Sequence, residues 1–301
     1  MSKTYTLAGV IPAMVTPVTD DASDISAERA GALTKRLMEA GVHGLFVNSS
    51  TGEAPLLSRE QRMRLTDAVA EVNDGALPLL VGVGSMATRY AVQYARDAEA
   101  HGASHIVILP LHFHQVSEDE CAAYFATVAD SVSIPTLLYN YPKLTSGQNI
   151  SPELAARLAV KHNIVGIKDS HDDHAQTLHY MEACGPDFVV FTGSDPLMLS
   201  LLQHGGAGTM CAAANVIPEL LVRLYDYFLS GEPDVALDLQ RDVLKASGFW
   251  RLGTFPAAIK AGCDLRGTPV GPPIAPTRPL SAESVELLRD MLGSLTECPL
   301  T

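Results

Sequence analysis

The stretch "NIVGIKDS", residues 163–170, decides how this chain is read. Its apolar residues form a run suited to a buried strand, yet Lys168 stands inside it. A lysine ammonium is among the costliest groups to bury and normally stays at the surface. Either the run is not a buried strand or the lysine has a task that justifies its place. The other six lysines fall in helical, loop or terminal stretches, so Lys168 is the only one embedded in a strand pattern.

Outward from this run the same kind of segment recurs: "GVIPAMV", "GLFVNSS", "PLLVGVG", "HIVILPL", "PTLLYN", "FVVFTGSD" and "GTMCAAAN". Helical patterns lie between them, with start signals at Ser26, Ser58 and Ser117 and stop signals at Gly41 and Gly102. Continuous apolar strands alternating with helices mark a parallel sheet covered by helices. Eight such units predict an α/β fold, a (β/α)8 TIM barrel, over residues 1–230. An open doubly wound sheet is the architectural alternative, but no GxGxxG opens a helix after the first strand. After residue 230 the pattern changes to "PDVALDLQRDVLKASGFW", "TFPAAIKAGCDLRG" and "SAESVELLRDML", which predict a C-terminal extension of three helices over 231–301.

Composition narrows the function. Hydrophobic residues make up 47% of the 301, ample for a large core, and the net charge of -13 argues against a nucleic-acid partner. An anionic substrate must therefore be held by local donors against the field of the whole molecule. The five widely spaced cysteines form no CxxC pair and read as free thiols in a reducing compartment. With no signal-peptide pattern and no apolar stretch of membrane-spanning length, a soluble cytoplasmic protein is expected.

In a barrel, chemistry comes from the C-terminal ends of strands and the loops that follow. A desolvated Lys168 loses its proton more readily, and a neutral amine can attack a ketone to form a Schiff base, an electron sink for carbanion chemistry. The plainer alternative is a structural ion pair, for instance with Asp195. Tyr139 ends the preceding strand, where its phenol could pass a proton, or simply fill the core. The "SSTGE" turn offers Ser50, Thr51 and backbone N–H groups to a carboxylate or phosphate, while Glu53 could tie the turn to its neighbours. Two histidine groups, His112 with His114 and His171 with His174, raise a metal-dependent enzyme as the main rival class. No P-loop, nucleophile elbow or zinc-protease motif is present.

Four segments, "STGE" at 50–53, "YNYP" at 139–142, "GIKDS" at 166–170 and "GSD" at 193–195, resemble the dihydrodipicolinate synthase and N-acetylneuraminate lyase family of class I aldolases. "GVIPAMVTP" near the start fits too, and the likeness runs along essentially the whole chain. The resemblance implies a (β/α)8 barrel, commonly a homotetramer built as a dimer of dimers, or a homodimer, with no metal or organic cofactor. It makes Lys168 the Schiff-base lysine for pyruvate, Tyr139 the proton shuttle, and Ser50 and Thr51 the carboxylate ligands, Thr51 also serving catalysis. His112, Gln115, Lys143, Ser170, Asp195 and Met210 become candidates for contacting the substrate. Departures shape the substrate expectation. Leu144 stands where the synthase has an arginine for a second carboxylate, and His112 about where it lends a tyrosine across an interface. Pro196 stands where sialic acid lyases carry an acidic residue. "YNYP" and "TGSDPLMLSLL" look more like the 2-keto-3-deoxy sugar acid aldolases, in which Gln115 would replace a loop arginine. Cleavage or formation of such a 2-oxo acid, from pyruvate and an aldehyde, is the expected reaction. Condensation of pyruvate with aspartate semialdehyde, or a related dehydratase or hydratase-aldolase step, is the alternative.

Overall fold

The computed structural model describes residues 7–110, 113–161 and 163–295. Eight parallel strands form one sheet: β1 (Gly9–Val10), β2 (Leu45–Val47), β3 (Leu79–Gly82), β4 (His105–Ile108), β5 (Thr136–Asn140), β6 (Ile164–Asp169), β7 (Val189–Thr192) and β8 (Gly208–Thr209). From β2 to β8 each strand pairs with the next in sequence, and β8 pairs with β1. The ring closes where Ala13 bridges Phe46, with the Met14 N–H donating to the Phe46 carbonyl at 2.8 Å. This closure excludes the open sheet.

Helices follow the strands: α1 (Ala27–Glu39), α2 (Arg59–Asn73), α3 (Thr88–Ala100), α4 (Glu118–Ala129), α5 (Pro152–Ala159), α6 (His174–Cys184), α7 (Met198–Gln203) and α8 (Pro218–Leu229). Their starts lie where local chemistry puts them. Ser26 caps α1, and Ser58 with Gln61 and Ser117 with Glu120 form capping boxes on α2 and α4. Gly41 ends the first helical turn-out at φ 83°, a conformation that side-chain-bearing residues rarely adopt. The described helices end with α9 (Pro233–Ala246), α10 (Ala257–Leu265) and α11 (Ala282–Gly293), the three patterns read after residue 230. None of the described helices is long and apolar enough to cross a membrane.

Period-two alternation divides the core into two layers. Phe46, Val107, Leu137, Tyr139, Phe191 and Met210 pack inside the barrel, whereas Leu138, Ile164 and Ile167 pack against helices. Burial of each large apolar side chain contributes about 1.5–3 kcal/mol. Two strands are shorter than their apolar runs. Pro12 lacks an N–H and interrupts β1, and in "GLFVNSS" the strand stops at Val47 because Asn48 turns into the left-handed region at φ 54°.

Candidate active site

Tyr139 and Lys168 are paired across β5 and β6. Both take the inward register, so the lysine is carried into the barrel interior among aromatic rings. Its Nζ lies 4.3 Å from the Tyr139 ring centroid and 5.2 Å from that of Phe46. Lys168 is 3% exposed, and among the described residues no carboxylate lies within ion-pair distance of it. The structural ion pair with Asp195 is therefore not formed. Burial without a counter-charge pulls the lysine pKa down to about 7, so a large share of the amine is neutral near pH 7.

Burial pushes the Tyr139 phenol up, keeping its proton, while the hydroxyls of Ser50 and Ser170 partly offset the rise. The phenol oxygen lies 3.1 Å from Ser50 Oγ. A protonated phenol in a short hydroxyl chain beside an amine is suited to moving protons.

The turn carrying Ser50 and Thr51 is bracketed by two left-handed residues, Asn48 and Glu53, each at φ 54°. Asn48 is held by its side-chain amide, which donates to the Arg62 carbonyl at 3.2 Å. Glu53 is held by the buried ammonium of Lys260 at 2.7 Å and by the Ile274 N–H at 2.7 Å. The sequence reading that Glu53 ties the turn to its neighbours holds, and its partners come from the helical tail. Within the turn, the N–H groups of Ser50 and Thr51 donate to no protein acceptor among the described residues. Two adjacent free donors and two hydroxyls form an arrangement suited to a carboxylate or phosphate.

Behind the lysine, buried Asp169 accepts from Thr177 Oγ1 at 2.6 Å, Asn140 at 3.0 Å and the His171 N–H at 3.1 Å, which fixes the turn after β6. Gly193 faces this turn. A Cβ there would stand 1.9 Å from Ser170 Oγ and 3.2 Å from Lys168 Cε, so a side chain at 193 would displace both.

These groups open into one cavity of about 560 Å³, lined by Ser50, Thr51, Tyr139, Lys168, Ser170, Asp195 and Met210 among others. Seven residues singled out in the sequence thus share one space. Asp195 is wholly buried and one of its carboxylate oxygens has no partner; burial pushes its pKa up to about 7. Lys143 stands outside the lining, its ammonium 2.6 Å from Asp172 at the rim. Gln115 also stands apart: its amide donates to the Ser146 carbonyl at 3.1 Å, on the exposed side of that loop. His112 lies outside the described residues. The metal reading finds no support in the placement of the remaining histidines. His171 lines the cavity while His174 turns away to Ser200 at 2.8 Å, and no group of three or more His, Cys, Asp or Glu among the described residues could hold a metal ion.

The sequence reading missed the wall supplied by the tail. Ser247, Trp250, Arg251 and Phe255 line the same cavity, from the segment between α9 and α10. Its only local signal is "GFWRLGTF", aromatic residues bounded by glycines in an otherwise helical region.

A family profile described as the dihydrodipicolinate synthetase family matches residues 6–294. The 4-hydroxy-tetrahydrodipicolinate synthase of Methanopyrus kandleri is 34% identical over 296 residues, covering 98% of both chains. An Escherichia coli K12 protein named as a probable 2-dehydro-3-deoxy-D-pentonate aldolase, YjhH, is 36% identical over 268 residues, covering 86% of this chain and 89% of its own. Among solved structures, YagE of Escherichia coli K12, a prophage protein of the dihydrodipicolinic acid synthase family in complex with pyruvate, superposes with a TM-score of 0.94 at 32% identity, covering 98% of this chain and 100% of that one. The barrel, the lysine site and these likenesses agree along the whole length, and the chain belongs to the dihydrodipicolinate synthetase family.

Proposed function

We propose that the protein is a class I aldolase, a Schiff-base-forming lyase that cleaves or forms a 2-oxo acid through a pyruvate enamine on Lys168. The observation that carries this reading is the buried, unpaired Lys168 in register with Tyr139 at the floor of a cavity. The N–H groups and hydroxyls of Ser50 and Thr51 hold the substrate carboxylate and offset its charge. Neutral Lys168 attacks the 2-oxo carbon, Tyr139 passes protons to and from the carbinolamine oxygen, and loss of water leaves an iminium. In the cleavage direction the 4-hydroxyl gives up its proton and the C3–C4 electrons move into the iminium. The aldehyde leaves, the enamine takes a proton at C3, and hydrolysis returns pyruvate and the amine. The iminium formed on Lys168 is the electron sink, so the reaction needs no metal or organic cofactor, and chelators should leave it untouched.

A 2-keto-3-deoxy sugar acid is the favoured substrate class. The polar wall of Ser170, Ser194 and Asp195 suits a hydroxylated chain, and the similarity to YjhH points the same way. The second reading is condensation of pyruvate with a semialdehyde, favoured by the synthase of Methanopyrus kandleri. Pyruvate release from a set of 2-keto-3-deoxy sugar acids, read beside condensation with aspartate semialdehyde, separates the two. Cleavage of a sugar acid supports the first reading, and condensation alone supports the second. The reading extends to a cytoplasmic homo-oligomer, a tetramer or dimer. Leu56, Met86, Tyr90 and Phe113, in the segments that follow β2, β3 and β4, leave large apolar side chains exposed, surface that assembly would cover. Light scattering measures the assembly.

A further inference from the structure

The cavity is braced from the tail at two places. At the pyruvate end, Lys260 on α10 holds Glu53, and Glu53 closes the turn that carries Ser50 and Thr51. Elsewhere the segment after β7 supplies one wall through Gly193, Ser194, Asp195 and Pro196, and the segment after α9 supplies another through Ser247 and Trp250. A single side chain joins these last two walls. Gln240, on α9, accepts from the Leu199 N–H at 2.9 Å and donates its amide to the Asp195 carbonyl at 3.2 Å.

The segment after β7 has few bonds of its own. Asp195–Leu197 is one 3-10 turn, closed by the Leu197 N–H on the Ser194 carbonyl and the Met198 N–H on the Asp195 carbonyl. Pro196 brings no N–H, and α7 is only six residues long, with the first N–H groups of any helix lacking a partner in a preceding turn. Gln240 supplies both a donor and an acceptor to this stretch, across 45 and 41 residues of chain. Gln240, Asp195 and Leu199 are all buried, so water cannot readily replace the amide. Among the described residues no other side-chain hydrogen bond and no ion pair ties the stretch 193–199 to the tail. Ser247 lies roughly two helical turns beyond Gln240, so the grip on Asp195 also fixes how far the tail wall stands from it.

We propose that Gln240 is a positioning residue that sets the spacing of the two walls around the aldehyde end of the 2-oxo acid, and through it the fit of the aldehyde. It touches no substrate itself and acts through the backbone of Asp195 and Leu199. This rests on the aldolase reading above and deepens it. The pyruvate end has a separate brace in Lys260 and Glu53, so loss of Gln240 should be felt by one substrate and not the other.

The test condenses pyruvate with glyceraldehyde and with aspartate semialdehyde, using the full chain, and measures KM for aldehyde and pyruvate separately. Gln240→Met keeps the bulk of the side chain and removes both bonds. It is expected to raise the KM of the accepted aldehyde roughly 10- to 100-fold, the scale of a small misplacement in a binding site. The pyruvate KM and the borohydride-trapped mass on Lys168 should stay as in the unaltered protein. Trp250, the one tryptophan of the chain, stands in the tail wall and should become more open to quenching by acrylamide. Gln240→Glu keeps the shape and the oxygen that receives the Leu199 N–H, so its aldehyde KM should fall between the two. If Gln240→Met does not fold, Gln240→Glu carries the same comparison. An unchanged aldehyde KM would overturn the proposal, as would aldehyde and pyruvate KM values that rise together, the mark of a purely structural role. Failure of the unaltered protein to trap pyruvate would overturn the aldolase reading itself, and the two failures are distinguishable.

Discussion

Replacing Lys260 with methionine should damage both the fold and the pyruvate site, although Lys260 touches no substrate-lining side chain. Its ammonium, on α10, lies 2.7 Å from Glu53, and the two side chains are only 1% and 3% exposed. It also donates to the Pro272 carbonyl at 2.9 Å. Burial pulls the Lys260 pKa down while Glu53 pulls it back up, so contact with Glu53 favours the charged ammonium. An exposed pair would be worth about 0–1 kcal/mol. Removing one partner of a buried pair instead strands a charge, at a cost of roughly 3–5 kcal/mol. Lys260→Met and Glu53→Gln should each approach that cost. The double variant should recover much of it, because no lone charge remains. Urea unfolding at constant m-value, run as a double-mutant cycle, measures the coupling, expected above about 2 kcal/mol. The Glu53 N–H also donates to the Ser50 carbonyl at 3.1 Å, so release of Glu53 should loosen the carboxylate cradle and raise the pyruvate KM. Single variants costing under about 1 kcal/mol, or costs that simply add, would refute the reasoning.

Three further outcomes follow from the site. The rate of pyruvate trapping should rise with pH through a midpoint near 7, because the lowered Lys168 pKa leaves the amine protonated and inert below it; a midpoint near the ordinary lysine value of 10.5 would contradict the burial argument. Tyr139→Phe keeps the buried ring but removes the proton carrier, so kcat should fall roughly 10²- to 10⁴-fold with urea stability little changed; a fall under tenfold would remove Tyr139 from the chemistry. Gly193→Ala should abolish trapping while circular dichroism stays that of a folded barrel, since the added Cβ would meet Ser170 and the Lys168 stem; unchanged trapping would show that the neighbours yield freely.

Legibility followed the range of the forces. Strand and helix alternation, the serine caps and the placing of Tyr139 and Lys168 in neighbouring strands come from local propensity and pattern and could be read along the chain, whereas their shared register comes from the fold. Strand ends were less legible, because the left-handed turn at Asn48 answers to contacts with Arg62 and Thr66 on the next helix. Side-chain direction in the segments after the strands was not legible at all. Gln115 in a loop and His174 at the start of α6 turn to Ser146 and Ser200. The tail's part in the site was hidden for the same reason, since only folding brings Lys260 to Glu53 and Arg251 to the cavity.

The central claim is that Lys168 forms the Schiff base that serves as the electron sink, and one measurement meets it directly. The protein is incubated with pyruvate, reduced with borohydride, digested and weighed by mass spectrometry. The account predicts one added pyruvyl-derived mass, located on the peptide that carries Lys168 and lost in Lys168→Ala. No adduct, or one that persists in Lys168→Ala, would contradict it.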